Sequence, residues 1–314
     1  MQKRRLGNTG LEVSVLGFGG APLGDVYGGI TEQEGSAALH AALDAGINLV
    51  DVAPYYGFTL AEQRLGRALK GRRDEVILAS KCCRYDLRGF DFSAGRVHSD
   101  INDSLRRLQT DHLDLFQLHD VEFGTRQQIL EETLPAMLEV KKSGKARFLG
   151  ITGLPVHLLK DLAQEFPVDT ILSYCHYNLM VDDLGAVLVP LVKERGVGLI
   201  NASPLHMGIL SPGGPQPWHP APAEVKTVGR AVAALCQKQG VPVAEVALRF
   251  AIDNEGVAST LCGMKNPQEV AHNLKVLDRP SDPKLLQQIA TLVAPVKNQT
   301  WHEGLPENLP PSLE

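Results

Sequence analysis

The chain has 314 residues, 44% of them hydrophobic and 21% charged, a composition typical of a globular protein with a substantial core. Its formal net charge is −5 and it contains no dense run of Lys or Arg, which argues against a nucleic-acid or membrane surface. The amino-terminal segment lacks the apolar stretch of a signal peptide, and no later run is long enough to span a bilayer. We therefore expect a cytoplasmic protein that acts on a small molecule.

The cysteines are odd in number and lack the spacing of metal ligands. Most of them fall inside apolar segments, so we expect reduced, buried thiols and no structural metal. They are Cys82, Cys83, Cys175, Cys236 and Cys262.

The chain opens with "RRLGNTGLEVS", whose Asn-Thr-Gly sequence predicts the turn of a short β-hairpin. Short apolar segments then alternate with longer amphipathic ones over nearly the whole length. Eight of the apolar segments predict strands, and their continuous apolar character is typical of parallel strands covered on both faces. They are VLGFG, INLVD, VILAS, LDLFQL, RFLGI, TILSY, VGLINA and VASTLCG.

Helices are predicted between these strands. In "TEQEGSAALHAALDAG", Thr31 and Glu34 have the spacing of a capping box and Gly46 stands where a helix ends. Eight strand-and-helix units without a linker predict a single (β/α)8 TIM barrel domain over residues 1–314. No G-x-G-x-x-G motif supports a dinucleotide-binding sheet instead. "SPGGPQPWHPAPAE" predicts an extended loop after the seventh barrel strand, and residues 295–314 approximately form a carboxy-terminal tail.

Active sites of such barrels lie at the carboxyl ends of the strands, so the polar residues that end the apolar segments are candidates. They are Asp51, Lys81 and His119, with Tyr56 in the loop after Asp51. A lysine beside a phenol favours the phenolate and lowers the tyrosine pKa, while a carboxylate keeps the lysine charged. We expect Tyr56 to transfer a proton near neutral pH. Each residue alone has an ordinary structural explanation, but the four together favour catalysis, with Tyr55 packing beside them.

These segments resemble the aldo-keto reductases. The resemblance extends from "LGNTGLEVSVLGFGG" to "GMKNPQEVAHN" and is carried by "DVAPYYG", "VILASK", "LDLFQLH" and "GKARFLGITG". It implies that Asp51, Tyr56, Lys81 and His119 are the catalytic residues. Within the family, "FDFSAGRV", "ASPLHMGIL" and "PVKNQTW" are most similar to members that oxidise L-galactose at C1 to a lactone. The implied reaction is NAD-dependent hydride transfer from a cyclic aldose, with Tyr56 as general base or acid.

The resemblance also implies a set of cofactor contacts. They are Gly19, Gly20, Asp51, Thr152, Ser173, Ser203, Pro204, Leu205, Gly208, Gly263, Lys265, Glu269 and Asn273.

The sequence departs from the family's commoner pattern in three places. Thr152 and Gly153 stand where many members have Ser-Asn, and Ala202 replaces an aromatic residue under the nicotinamide ring. Glu269 stands where NADP-using members carry Arg. A carboxylate accepts hydrogen bonds from ribose hydroxyls and repels a 2′-phosphate, so Glu269 predicts NAD, although Lys265 nearby could attract phosphate.

Sugar contacts are expected from Tyr56, His119, Glu122, Phe123 and Trp218, with the tail residue Trp301 covering the barrel mouth. The sequence leaves open another aldose (L-fucose, D-arabinose or a D-threo-aldose), an NADPH-dependent carbonyl reductase and a non-catalytic nicotinamide sensor. A metal-dependent hydrolase could use Asp51, His119 and His176, but Lys81 would oppose a cation there. Assembly into a homo-oligomer is also left open.

Overall fold

The structure is a computed structural model, and it describes residues 1–87 and 89–309. The chain begins with the predicted hairpin, in which β1 (Lys3–Arg5) pairs antiparallel with β2 (Glu12–Ser14). A 3₁₀ turn over Gly7–Thr9 joins the two strands. The Asn-Thr-Gly signal was therefore sufficient to predict the hairpin.

The eight predicted strands are present and close into one parallel barrel, with β10 hydrogen-bonded to both β9 and β3. This confirms the (β/α)8 fold. The barrel strands are β3 (Leu16–Gly19), β4 (Leu49–Asp51), β5 (Ile77–Cys82), β6 (Leu113–Leu118), β7 (Ala146–Gly153), β8 (Thr170–Tyr174), β9 (Gly198–Ala202) and β10 (Ser259–Gly263).

Helices surround this barrel. They are α1 (Glu32–Asp44), α2 (Leu60–Ala68), α3 (Ala94–Leu108), α4 (Arg126–Gln128), α5 (Leu134–Lys142), α6 (Val156–Glu165), α7 (Asp183–Arg195), α8 (Ala223–Lys238), α9 (Val243–Ile252), α10 (Pro267–Lys275) and α11 (Pro283–Val293). A π-helical turn, Ile129–Thr133, joins α4 to α5. The predicted capping box is present, since the Thr31 hydroxyl accepts from the Glu34 amide and the Glu34 carboxylate accepts from the Thr31 amide.

The hairpin covers the amino-terminal end of the barrel. Leu6 and Val13 are fully buried and belong to the same apolar cluster as the inward-facing strand residues Leu49 and Leu115. Gly7 lies so close to the next layer that a Cβ atom there would come within 2.4 Å of the Gly198 nitrogen. The mouth at the opposite end of the barrel is where the strand carboxyl ends meet.

The carboxy-terminal tail crosses this mouth. The Leu305 amide and the Asn308 side chain both donate to the Glu122 carbonyl oxygen, each at 2.8 Å. Trp301 is buried against the rings of His206 and His219. Residues 310–314 of the predicted tail lie outside the described residues. Within the described ranges, every helix is too short or too polar to cross a bilayer.

Candidate active site

Strand register brings the candidate catalytic residues to one side of the mouth. Asp51, the last residue of β4, pairs in register with Ala79 of β5. Lys81 lies two residues beyond Ala79 and therefore points to the same face of the sheet. Lys81 is in register with Gln117 of β6, and His119 follows two residues later. Three consecutive strands thus deliver their side chains to one place.

Lys81 is the centre of a buried hydrogen-bond network. Its Nζ donates to Asp51 Oδ1 at 2.5 Å, to the Val52 carbonyl oxygen at 3.1 Å and to the Tyr56 hydroxyl at 3.2 Å. Gln117 Nε2 donates to the second oxygen of Asp51 at 2.8 Å. Only 1% of Lys81 is exposed. Because both Asp51 oxygens and all three ammonium protons are engaged, the lysine has one available orientation.

Two glycines hold the Tyr56 backbone in place. Gly57 adopts φ +62°, and a Cβ atom there would lie 2.4 Å from the Gly24 carbonyl oxygen. A Cβ atom on Gly24 would in turn lie 2.4 Å from the Tyr56 carbonyl carbon. The loops after β3 and β4 can approach this closely only because neither position carries a side chain. The Gly in "PYYG" therefore has a positional role.

Two opposing effects act on the pKa of Tyr56. Burial raises the pKa of the phenol, and the Lys81 ammonium lowers it by a smaller amount, so the net direction is upward. Lys81 thus acts in the expected direction but is outweighed by burial. Proton transfer by Tyr56 near neutral pH stays a prediction. Burial lowers the pKa of Lys81, but Asp51 and Tyr56 together raise it above its ordinary value, and the lysine stays charged.

His119 contacts both tyrosines through its ring edge. Its centroid lies 6.0 Å from that of Tyr56 with an interplanar angle of 87°, and 5.9 Å from that of Tyr55. Burial lowers its pKa well below the ordinary value, and the cations of Lys81 and Arg84 lower it further. His119 is therefore a neutral imidazole, able to donate from one ring nitrogen and accept at the other.

An ion pair between Arg84 and Asp120 was not predicted from the sequence. The Arg84 guanidinium pairs with Asp120 and lies 3.9 Å from the centroid of the Tyr55 ring. Phe90 and Phe123 flank the same guanidinium. Asp120 Oδ2 lies 3.7 Å from Nε2 of His119. The catalytic side of the mouth thus contains a second fixed pair of charges, apart from Lys81 and Asp51.

The predicted cofactor residues are distributed around the same rim. The Gly20 amide donates to the Asp51 carbonyl oxygen at 2.7 Å, so the loop after β3 abuts the catalytic strand. Thr152 Oγ1 accepts from the Asp120 amide at 3.1 Å, which leaves its hydroxyl proton available. Ser173 Oγ is buried and has no partner within the described residues. A buried hydroxyl without a partner is the kind of group that a ligand amide satisfies.

The loop after β9 has a strained backbone. Ser203, His206 and Met207 have φ of 56°, 50° and 50°, and Gly208, two residues after His206, has φ 102°. Such conformations in non-glycine residues cost about 1–3 kcal/mol each and concentrate at binding sites. Buried His206 anchors this loop through a hydrogen bond with Asn178 and through the Trp301 ring. The remaining predicted contacts here are Pro204 and Leu205.

The amino terminus of α10 lies beside the end of β10. Asn266 caps the helix by accepting from the Glu269 amide at 2.9 Å, and Glu269 Oε2 accepts from the Lys265 amide at 2.8 Å. The Lys265 ammonium donates to the Tyr27 carbonyl oxygen. Asn273 faces the strand, since its side chain donates to Cys262 Sγ at 3.4 Å. Gly263, at the end of β10, is in register with Gly19.

The predicted sugar contacts lie in two places. Glu122 is fully buried, and its Oε1 accepts from the Leu154 amide at 3.1 Å. Phe123 stacks on Phe90 with centroids 4.1 Å apart. Trp218 is 51% exposed and lies on the extended loop after β9, where its ring centroid is 6.2 Å from that of Tyr27. Glu122 and Phe123 therefore belong to the Arg84 side of the mouth and Trp218 does not.

The donor groups fit poorly to a metal-dependent hydrolase. Both oxygens of Asp51 are engaged, and His176 Nδ1 is bonded to Asp183 at 2.7 Å. In the described part of the chain, one group has metal-like spacing, with Cys82, Cys83 and Asp100 atoms within 4.8 Å of one another. Asp100 already accepts from the Cys83 amide at 3.0 Å. All five cysteines are buried and free of disulfides, as predicted.

The family model for the aldo/keto reductase family matches residues 15–294. The chain belongs to the aldo/keto reductase family. It is 43% identical to the L-galactose dehydrogenase of Arabidopsis thaliana, over 98% of this chain and 99% of that protein. It is 30% identical to the D-arabinose 1-dehydrogenase of Saccharomyces cerevisiae, over 94% of this chain and 95% of that protein. A Bacillus halodurans aldo-keto reductase, solved in its holo form, superposes with a TM-score of 0.78 at 30% identity. The superposition covers 96% of this chain and 99% of that chain.

Membership makes this chain an aldo-keto reductase oxidoreductase, and enzymes of this family bind a nicotinamide cofactor. The rim described above fits such a cofactor. It offers an unpartnered buried hydroxyl on Ser173, a strained loop from Ser203 to Gly208 and a capped helix end at Asn266.

Proposed function

We propose that this aldo-keto reductase oxidises the C1 hydroxyl of a cyclic aldose, with L-galactose as the first candidate, and uses NAD. The observation that carries the proposal is the chain of contacts from Asp51 through Lys81 to the Tyr56 hydroxyl, beside neutral His119. This arrangement suits proton transfer to and from an alcohol oxygen. The 43% identity to an L-galactose dehydrogenase supports the choice of sugar.

The roles of the four residues follow from their contacts. Tyr56 accepts the C1 hydroxyl proton during oxidation, and the nearby Lys81 charge stabilises the phenolate that does so. Asp51 keeps Lys81 charged and oriented. His119 holds the sugar oxygen through Nε2 and lies at right angles to the Tyr56 ring. The bound cofactor supplies the hydride acceptor.

The proposed preference for NAD rests on Glu269. Glu269 Oε2 is fixed by the Lys265 amide, so its carboxylate stays at the start of α10. The Lys265 ammonium donates one hydrogen bond to the Tyr27 carbonyl oxygen, which leaves its charge and its other two protons in place. A carboxylate fixed at this position favours ribose hydroxyls over a 2′-phosphate.

Glu269→Gln tests the cofactor preference. The amide keeps an oxygen for the Lys265 amide and removes the negative charge, so we expect the kcat/KM ratio of NADP to NAD to rise on the order of tenfold. Glu12→Gln makes the same charge change on the exposed hairpin strand, at the far end of the barrel, and should leave the ratio unchanged. A wild-type enzyme that prefers NADP would overturn the assignment.

Initial rates decide the function itself. We would measure NADH and NADPH formation from NAD and NADP with L-galactose, L-fucose, D-arabinose and D-galactose. Fastest NADH formation with L-galactose is the expected result. A clear preference for D-arabinose would support the proposed reaction but change the assigned substrate, in line with the 30% identity to a D-arabinose 1-dehydrogenase. No oxidation of any aldose would overturn the proposal.

A further inference from the structure

Asp120 has a backbone conformation that turns its side chain back over the end of β6. Its φ of 53° and ψ of 66° are left-handed, a conformation that is uncommon outside glycine and in which aspartate is one of the enriched residues. Its amide donates to Thr152 Oγ1 at 3.1 Å, and its carbonyl oxygen accepts from the Phe123 amide at 3.1 Å. As a result, Asp120 Oδ2 lies 3.7 Å from Nε2 of the preceding His119.

Arg84 stabilises the buried Asp120 carboxylate and leaves it able to accept a further hydrogen bond. Asp120 is 1% exposed, and a carboxylate buried to this degree needs a paired cation. The Arg84 guanidinium provides that cation and is immobilised on the Tyr55 ring, 3.9 Å from its centroid. The guanidinium bonds to Oδ2, the same oxygen that lies near His119. Each carboxylate oxygen has roughly two lone-pair positions, so Oδ2 keeps capacity for one further donor.

The distance between His119 Nε2 and Asp120 Oδ2, 3.7 Å, would allow the two atoms to bond to hydroxyl groups on neighbouring carbons of one ligand. This argument relies on the proposed function, in which the C1 oxygen of the sugar bonds to Nε2 of His119. The oxygen on the next carbon then lies about one hydrogen-bond length from the C1 oxygen, beside Asp120 Oδ2. The other neighbour of C1 is the ring oxygen, which has no proton to donate to a carboxylate.

We propose that Asp120 accepts a hydrogen bond from the hydroxyl on the carbon next to the reacting carbon. The enzyme thereby selects 2-hydroxy aldoses and, more generally, vicinal diols. Asp120 is a specificity-determining residue in this arrangement, and Arg84 is a positioning residue that acts through it.

Deoxy sugars test the proposal directly. We would compare kcat/KM for L-galactose, 2-deoxy-L-galactose and L-fucose, which is 6-deoxy-L-galactose, with wild type and Asp120→Asn. Wild type should lose about 10- to 100-fold with the 2-deoxy sugar, the effect of a hydrogen bond to a charged group. A 2-hydroxyl withdraws electrons and disfavours hydride loss, so removing it does not by itself slow the chemistry. Asp120→Asn should shrink the 2-deoxy effect severalfold and leave the ratio of L-galactose to L-fucose unchanged.

Asp120→Asn leaves Arg84 without its counter-ion, which could partly unfold the protein. A second variant controls for this effect. Arg84→Met combined with Asp120→Asn removes the unpaired cation and should show the same loss of discrimination. Each ratio is taken on one sample, so the folded fraction cancels. Equal oxidation of 2-deoxy-L-galactose and L-galactose by wild type overturns the proposal, as does undiminished discrimination in both variants. No oxidation of any of the sugars would instead refute the proposed function, and this inference with it.

Discussion

Tyr56→Phe is expected to lower kcat for aldose oxidation by about 10²- to 10⁴-fold, the usual contribution of a general acid or base. The substitution removes only the hydroxyl that Lys81 contacts at 3.2 Å. Cofactor affinity, measured by titrating protein fluorescence with NAD, should change little. In wild type the raised pKa of Tyr56 should place the rise in kcat/KM at alkaline pH, because oxidation requires the deprotonated phenol.

Tyr55→Phe is the matched control for this experiment. Tyr55 lies next to Tyr56 in the chain, and its ring contacts the same histidine and the Arg84 guanidinium. Its hydroxyl has no role in the proposed chemistry, so kcat and the pH profile should stay close to wild type. Retention of more than a tenth of the wild-type kcat by Tyr56→Phe would contradict the assignment of Tyr56.

Lys81→Met should damage both stability and catalysis. It leaves the Asp51 carboxylate, 4% exposed, without its cation, and breaking a buried pair in this way costs about 3–5 kcal/mol in the free energy of unfolding. The phenol also loses the charge that lowers its pKa, so the rising limb of the pH profile should move further to alkaline pH. Urea denaturation and the pH dependence of kcat/KM measure the two effects.

Arg107→Met separates stability from chemistry. Arg107 pairs at 2.5 Å with fully buried Glu62 on α2, outside the barrel. Its removal leaves a buried carboxylate without its cation, as Lys81→Met does. A comparable loss in the free energy of unfolding is expected. The kcat of the remaining folded enzyme should be unchanged. If Lys81→Met behaves like Arg107→Met in both assays, Lys81 has only a structural role.

The strands and the four candidate catalytic residues could be predicted because their signals are local. Each strand is a short apolar segment, and a polar residue such as Lys81 or His119 at or just beyond its end is directed to the barrel mouth by topology. The hairpin and the first helix likewise follow from a turn sequence and from the Thr31 and Glu34 pair.

The Arg84 and Asp120 pair could not be predicted in the same way. It depends on left-handed conformations at Cys83, with φ 72°, and at Asp120, with φ 53°. Neither position is a glycine, so the sequence carries no signal of the turn that brings the two charges together. The direction of the Tyr56 pKa was also out of reach, because burial of the phenol depends on how the loops pack and outweighs the Lys81 charge.

The hairpin over the amino-terminal end has a consequence for the order of events in turnover. With Leu6 and Val13 packed into that end, we expect the proposed cofactor and sugar to enter together from the opposite end. If the outer ligand covers the deeper one, the deeper one must bind first and leave last. We expect compulsory-order turnover in that case, with release of the deeper ligand, after the chemical step is complete, as a candidate for the slow step.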